Sequence, residues 1–236
     1  MAPPDSAPDV EASFPTTDER QDPPAFDPEQ LLAPAYSDIT TDDDLISYSR
    51  AYIAVVIAHY DLEVDAEHIE DWTVNHRAKR RAAAVRHPDL SKIGVHTIAG
   101  MTSPDWEALR EDLSAELRRS RFDDPKEVHL NLTWEAFEAF DEAEWRETLR
   151  HEAAHIEQYH EHGAGDHGLD FERRAKALDT TVDCKQFADY NYQFYCTECG
   201  ADRGGRYREC KAVRDAREQG GRWITGCCDA PQGLRK

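Results

Sequence analysis

Residues Trp145 to Phe171 read WRETLRHEAAHIEQYHEHGAGDHGLDF. From Glu142 to about Glu161 there is no Gly or Pro, and Trp145, Leu149, Ala153 and Ile156 return at helical spacing, which predicts a long amphipathic helix. Gly163 to Gly168 breaks it, and Phe171 to Leu178 begins a second, short helix. Within the long helix, His151-Glu152-Ala153-Ala154-His155 places two imidazoles four residues apart. They lie one turn above each other on the same face, the spacing at which two histidines reach one metal ion. Glu152 is offset from that face enough not to be a ligand, yet near enough to hold a water beside such an ion. It is the candidate general base.

A chain with 11 histidines and 48 acidic residues can spell such a pentapeptide by accident on a solvated helix face. Context favours the metal site: the match lies inside an amphipathic helix, and more histidines follow it. A catalytic zinc generally takes three protein ligands and leaves one position open. His160, His162 and His167 compete for the third place. His162 is seven residues past His155, about 10 Å further along the axis if the helix continues, and His160 points elsewhere. His167 follows the glycine break, so the chain can turn back and bring it over the first two. Glu172 is an alternative ligand. The metzincin pattern would need a histidine at position 161, where this chain has Glu161.

Working outward, Thr41 and Asp44 form a capping box for a helix from Thr41 to Tyr60, with Leu45, Tyr48, Tyr52, Val56 and His59 at helical spacing. Strand-like runs are expected at Trp72 to Asn75, Ala82 to Arg86 and Ile93 to Ile98, with the basic cluster Arg77, Lys79, Arg80 and Arg81 after the first. Ser103 is the expected cap of a helix carrying Pro104 in its first turn and Trp106, Leu109, Leu113 and Leu117 on its buried stripe. Val128, Leu130 and Leu132 alternate with His129 and Asn131 as a strand would. This order of elements predicts an α+β domain with a small antiparallel or mixed sheet.

The formal net charge is −20, and it is unevenly spread: residues 1–71 hold 18 acids and 2 bases, residues 196–236 hold 6 acids and 9 bases. Such acidity keeps a chain soluble, and it matches the bias of proteins from salt-loving cells, where molar salt shortens screening to roughly 3 Å. Residues 1–38 form an expected disordered tail, rich in Pro and Asp and too poor in apolar residues to offset ordering entropy. No stretch of 18 consecutive apolar residues occurs, and Met1 to Val10 lacks the basic and apolar pattern of a signal peptide, so a cytoplasmic protein without membrane contact is expected. Six cysteines without an export signal point to metal or free thiols. Cys196-Thr197-Glu198-Cys199-Gly200 follows the aromatic run Tyr190, Tyr192, Phe194 and Tyr195, like half of a zinc ribbon. Cys184 reads as a buried small residue. Arg203, Arg206, Arg208, Lys211, Arg214, Arg217 and Arg222, interleaved with Tyr207 and Trp223, suit phosphate contact and base stacking; Arg206, Arg208, Lys211 and Arg214 are the candidate nucleic-acid contacts.

Leu149 to Phe171, with its HExxH helix, short loop and His167-Gly168-x-x-Phe171, resembles the SprT-like metalloproteases, the family that includes the Spartan proteases acting on proteins covalently trapped on DNA. The resemblance extends upstream to the run at Arg77 to Val85 and the strand at Val128 to Leu132, and downstream to a C-terminal zinc ribbon. It covers about residues 42 to 230. It implies a zincin-like α+β fold over 39–190 with a zinc ribbon over 191–236. His151, His155 and His167 would be the zinc ligands and Glu152 the catalytic acid/base. It also implies a structural zinc at the cysteines, protein substrates and DNA as a partner. Where the family usually has a second C-x-x-C, Thr225 replaces the first cysteine and Cys228 matches the second, so that either Cys227 or Cys210 supplies the fourth thiolate or the ribbon is degenerate. Tyr159 and the cluster Arg77 to Arg81 are possible oxyanion donors. The alternative expectation is a non-catalytic zinc and nucleic-acid-binding module, its first ion closed by His160 or His162.

Overall fold

The computed structural model describes residues 23–64, 66–112, 121–218 and 224–235. The chain is a mixed α+β protein, with two three-stranded sheets among the described residues. Helix α1 (Asp42–His59) starts at the capping box of Thr41 with Asp44, as its sequence predicts. Strands β1 (Ile69–Asn75) and β2 (Ala83–Arg86) precede helix α2 (Trp106–Asp112), and β3 (Val128–Thr133) follows it. The first sheet has the order β1-β3-β2, with β1 parallel and β2 antiparallel to β3. Sheet alternation does not leave a wet face on β3: His129 is buried under Phe122, their rings 4.3 Å apart, because this central strand is covered on both sides.

Four local expectations change. The strand expected at Ile93 to Ile98 is absent: Asp89 caps a 3-10 turn over Leu90–Ile93, and Gly94 ends it in the left-handed region, so local capping wins over β-branched composition. Asp105 rather than Ser103 caps α2, accepting the Ala108 N–H at 3.1 Å; Leu113 and Leu117 lie outside the described residues. A further helix, α3 (Trp134–Ala139), joins β3 to the long helix. Its six residues are too few to show a period, although Ala136 and Phe137 are buried. Lastly, the N-terminal segment is ordered before residue 39: Phe26 packs edge-on against Tyr48 and Tyr52, and the Tyr36 hydroxyl donates to the Phe140 carbonyl at 3.0 Å. Two aromatics suffice to dock a polar segment, since each buries a large apolar area. Residues 1–22 of the expected tail lie outside the described residues.

The decisive element is helix α4 (Glu142–His162). Asp141 and Glu144 close a capping box at its start, and the fully buried Trp145 donates its indole N–H to Ser49 of α1 at 3.3 Å. Buried Arg150 binds the Tyr52 hydroxyl at 2.9 Å and the Asp179 carbonyl at 2.8 Å, which fixes the helix's rotation about its axis. Gly163 ends α4 with φ 64°, and a Cβ there would lie 2.7 Å from both Leu90 and Pro104, so only glycine fits. Helix α5 (Leu169–Ala177) returns across α4, tied by the Glu157–Arg174 ion pair and by fully buried Phe171.

Beyond it, β4 (Tyr192–Cys196), β5 (Asp202–Arg206) and β6 (Gln232–Arg235) form the second sheet in the order β5-β4-β6, all antiparallel. Helix α6 (Lys211–Glu218) covers it, burying Val213 and Ala216 against Phe194. No helix among the described residues is long and apolar enough to cross a membrane.

Candidate metal centre and its cleft

The face of α4 that carries His151 and His155 lines a cleft of about 560 Å³. Edge strand β2 and Arg80 and Arg81 form one wall, the 165–167 loop another, and Asp183 and Cys184 close the side. The structure brings His167 back over α4: one ring nitrogen each of His151, His155 and His167 lies within 4.8 Å of the others. The Nε2 atoms of His155 and His167 face each other at 2.9 Å, and their rings stack 4.9 Å apart. Phe171 packs against all three rings, stacked 4.2 Å from that of His155, tilted against that of His167 and edge-on to that of His151. This apolar packing orients the imidazoles and keeps water off their inner faces.

Burial sets the protonation of the group. Desolvation drives the His155 pKa down to about 3, helped by the neighbouring His151 and His167, and desolvation also lowers that of His151. Both rings are therefore neutral at physiological pH, the form that binds a metal. Nδ1 of His151 donates to the Thr181 carbonyl at 2.8 Å, which leaves its Nε2 as the free lone pair. Glu152, 2 % exposed, is pushed up to about 7 by burial, against the opposing effects of the Val85 N–H, which it accepts at 2.9 Å, and of the Arg81 charge. A carboxyl poised there can take up or release a proton near neutrality.

The other sequence candidates for this site are occupied elsewhere. His160 Nε2 hydrogen-bonds the Lys126 carbonyl and His162 Nδ1 the Thr102 carbonyl, both at 2.9 Å, so neither closes the histidine group. Glu172 is exposed and outside it. Tyr159 is fully buried and donates to the Pro125 carbonyl at 2.7 Å, so its hydroxyl does not face the cleft as an oxyanion donor would. Of the basic cluster, Arg80 and Arg81 line the cleft, whereas Lys79 pairs with Glu135.

Sequence reasoning missed His87 as a cleft residue and read Cys184 only as a buried small residue, whereas it is partly exposed on the cleft wall. His87 stacks on Tyr159 with ring centroids 4.0 Å apart, and its Nδ1 donates to the Pro88 carbonyl at 2.9 Å, turning Nε2 toward Gly165. No spacing signal marks it, because it stands alone at the end of β2. Cys184 is partly buried on the cleft wall, its thiol near His151 and Glu152. Desolvation, followed by the nearby Glu152 charge, pushes that thiol up to about 12, so it is not a thiolate nucleophile.

At the second sheet, the sulfurs of Cys196, Cys199, Cys227 and Cys228 lie within 4.8 Å of one another. The open choice of fourth cysteine falls to Cys227. Cys210 stands outside the group at the start of α6, where the Val213 and Ala212 N–H groups reach its thiol. Thr225, the residue in place of the expected cysteine, is 4 % exposed and supports the group: its hydroxyl lies 3.2 Å from Cys196 Sγ. The Cys199 N–H, then Thr225, hold the Cys196 thiol down to about 6. Arg206, Arg208, Lys211 and Arg214 are all exposed on β5, the following turn and α6. Arg222 and Trp223 lie outside the described residues.

Comparison of the chain with protein-family models, with curated proteins and with solved structures gives no match. What the geometry supports directly, among the described residues, is a group of histidines and a group of cysteines, each able to hold a metal ion, with His151, Glu152 and Cys184 a third such set that shares His151 with the first.

Proposed function

We propose that the chain is a zinc-dependent endopeptidase of the SprT-like, zincin-like type, acting on proteins associated with or crosslinked to DNA. One observation carries the reading: three imidazoles converge on a single point of an open cleft, beside a buried carboxyl that is not one of them. A three-nitrogen set with room for a further ligand suits catalytic zinc, and a four-sulfur set suits structural zinc. His151, His155 and His167 would hold the first ion, and Cys196, Cys199, Cys227 and Cys228 the second. When bound, the first ion would supply Lewis-acid polarisation of the scissile carbonyl and acidify water at the cleft.

The chain's own residues supply the proton chemistry. Glu152 takes a proton from the attacking water and returns it to the leaving amine, and its pKa of about 7 suits both directions. The Val85 N–H fixes the carboxyl against β2, so a substrate strand lying along that edge meets a positioned base. Arg80 and Arg81 are the cationic groups of the cleft wall closest to hand for a developing oxyanion. Exposed Arg206, Arg208, Lys211 and Arg214 are the proposed DNA contacts, a role that rests on the resemblance and on their exposure.

A non-catalytic zinc and nucleic-acid-binding module would need a fourth protein ligand at the histidines. The engagement of His160 and His162 with distant carbonyls speaks against it. The test is proteolysis of a DNA-bound protein by wild type, by His155→Ala and by chelator-treated wild type. Cleavage by wild type alone supports the reading; cleavage that survives both treatments excludes it.

A further inference from the structure

Metal-binding histidines generally need a partner for the ring nitrogen that faces away from the ion, because that hydrogen bond fixes the tautomer and the ring angle. His151 has one in the Thr181 carbonyl. His155 does not: its Nδ1 is buried and closes no hydrogen bond of good geometry. Beside it on the same helix, one turn on, lies Gln158, 3 % exposed and close enough to His155 to hydrogen-bond the ring. Its amide Nε2 is likewise buried without a partner. Its Oε1 accepts the Asp166 N–H at 3.1 Å. A backbone N–H can only donate, so this contact fixes which end of the amide is oxygen.

Asp166 immediately precedes His167, and its own carboxylate accepts the Gly168 N–H at 2.8 Å, so the loop ligand sits in a turn that hangs from Gln158. An apolar residue would fill the same space without stranding an amide nitrogen, which makes a buried glutamine here costly unless its oxygen has a use. An amide oxygen has two lone pairs, and the Asp166 N–H takes one.

We propose that Gln158 is the positioning residue of the histidine centre, its Oε1 taking both the Asp166 N–H and the Nδ1–H of His155 so that the helix ligand and the loop ligand are set by one group. Through the first bond it holds the loop that carries His167. Through the second it forces the His155 proton onto Nδ1 and leaves Nε2 free for the ion. The proposal rests on the metal reading of His151, His155 and His167 and adds to it a residue outside the ligand set.

Cobalt(II) titration of the full-length protein separates the two claims. The cysteine site gives intense near-ultraviolet sulfur-to-cobalt bands and visible bands of its own, so the weaker visible bands of the histidine site are read as the difference from the His155→Ala spectrum. Gln158→Leu keeps the volume and removes the acceptor. Cobalt affinity at the histidines is expected to fall roughly 10- to 100-fold with altered visible bands, while the cysteine site and the melting temperature of metal-free protein stay as in wild type. Gln158→Glu restores an acceptor and is expected to recover the affinity to within several-fold. Wild-type affinity and bands in Gln158→Leu would overturn the positioning role and leave the metal reading standing. So would equal losses in the Leu and Glu variants. Identical visible spectra of wild type and His155→Ala would instead remove the metal reading itself.

Discussion

Glu152→Gln tests the chemistry and the physics of the cleft at once. The glutamine keeps the size of the side chain and can still accept the Val85 N–H, but it cannot take a proton from water. Proteolysis is expected to fall by the roughly 10²- to 10⁴-fold typical of a lost general base, with zinc retained. The stability effect runs the other way. Burial raises the Glu152 pKa from the usual 4.5 to about 7, so the folded protein holds a proton there that the unfolded chain has released. Below pH 4.5 the carboxyl is protonated in both states and costs nothing. Between 4.5 and 7 the cost of keeping it buried grows, and above 7 it is fully expressed. At roughly 1.4 kcal/mol per pKa unit the plateau is worth about 3 kcal/mol, which the neutral amide does not incur. Urea unfolding of both proteins after metal removal, from pH 4.5 to 8.5, should show the Gln variant more stable by about that amount at pH 8. The gap should close toward pH 4.5. A gap independent of pH would refute the desolvation argument, and wild-type cleavage rates in the variant would refute Glu152 as the base.

Purified protein should carry two zinc ions per chain, with His155→Ala and Cys199→Ser each losing a different one; loss of the same ion from both would merge the sites. Cys227→Ser should empty the cysteine site and Cys210→Ser should leave it filled, read by zinc analysis, because only the first sulfur is in the group. Asp141→Ala should cost about 1 kcal/mol in urea unfolding through the lost capping box of α4. Replacing Arg206, Arg208, Lys211 and Arg214 by Gln should weaken DNA binding and flatten its salt dependence, measured as log Kd against log salt; an unchanged slope would exclude these residues as phosphate contacts.

The sequence by itself determined the parts of this protein whose causes are local. The capping box of Thr41 and Asp44, the stripe of Trp145, Leu149, Ala153 and Ile156, and the break at Gly163 depend on neighbours within a few residues, and each stands where its chemistry placed it. The pairing of His151 with His155 is of the same kind, fixed by the pitch of one helix. Where two local signals competed, the shorter-range one prevailed, as with Asp89 and Gly94 over the β-branched residues after them.

Only the tertiary structure decided what depends on chain return. Whether His160, His162 or His167 joins the first two histidines was set by Gly163, Phe171 and the loop held at Gln158, not by spacing. The choice of Cys227 over Cys210 came from the register of β4 with β6, which carries Cys196 beside the hairpin that follows Thr225. His87 and Cys184 entered the cleft from segments 64 and 33 residues away from His151, and the raised pKa of Glu152 arose because β2 and α4 close over it. Burial is a property of surfaces brought together from distant parts of the chain, and a charge left inside answers to that burial rather than to its neighbours in sequence.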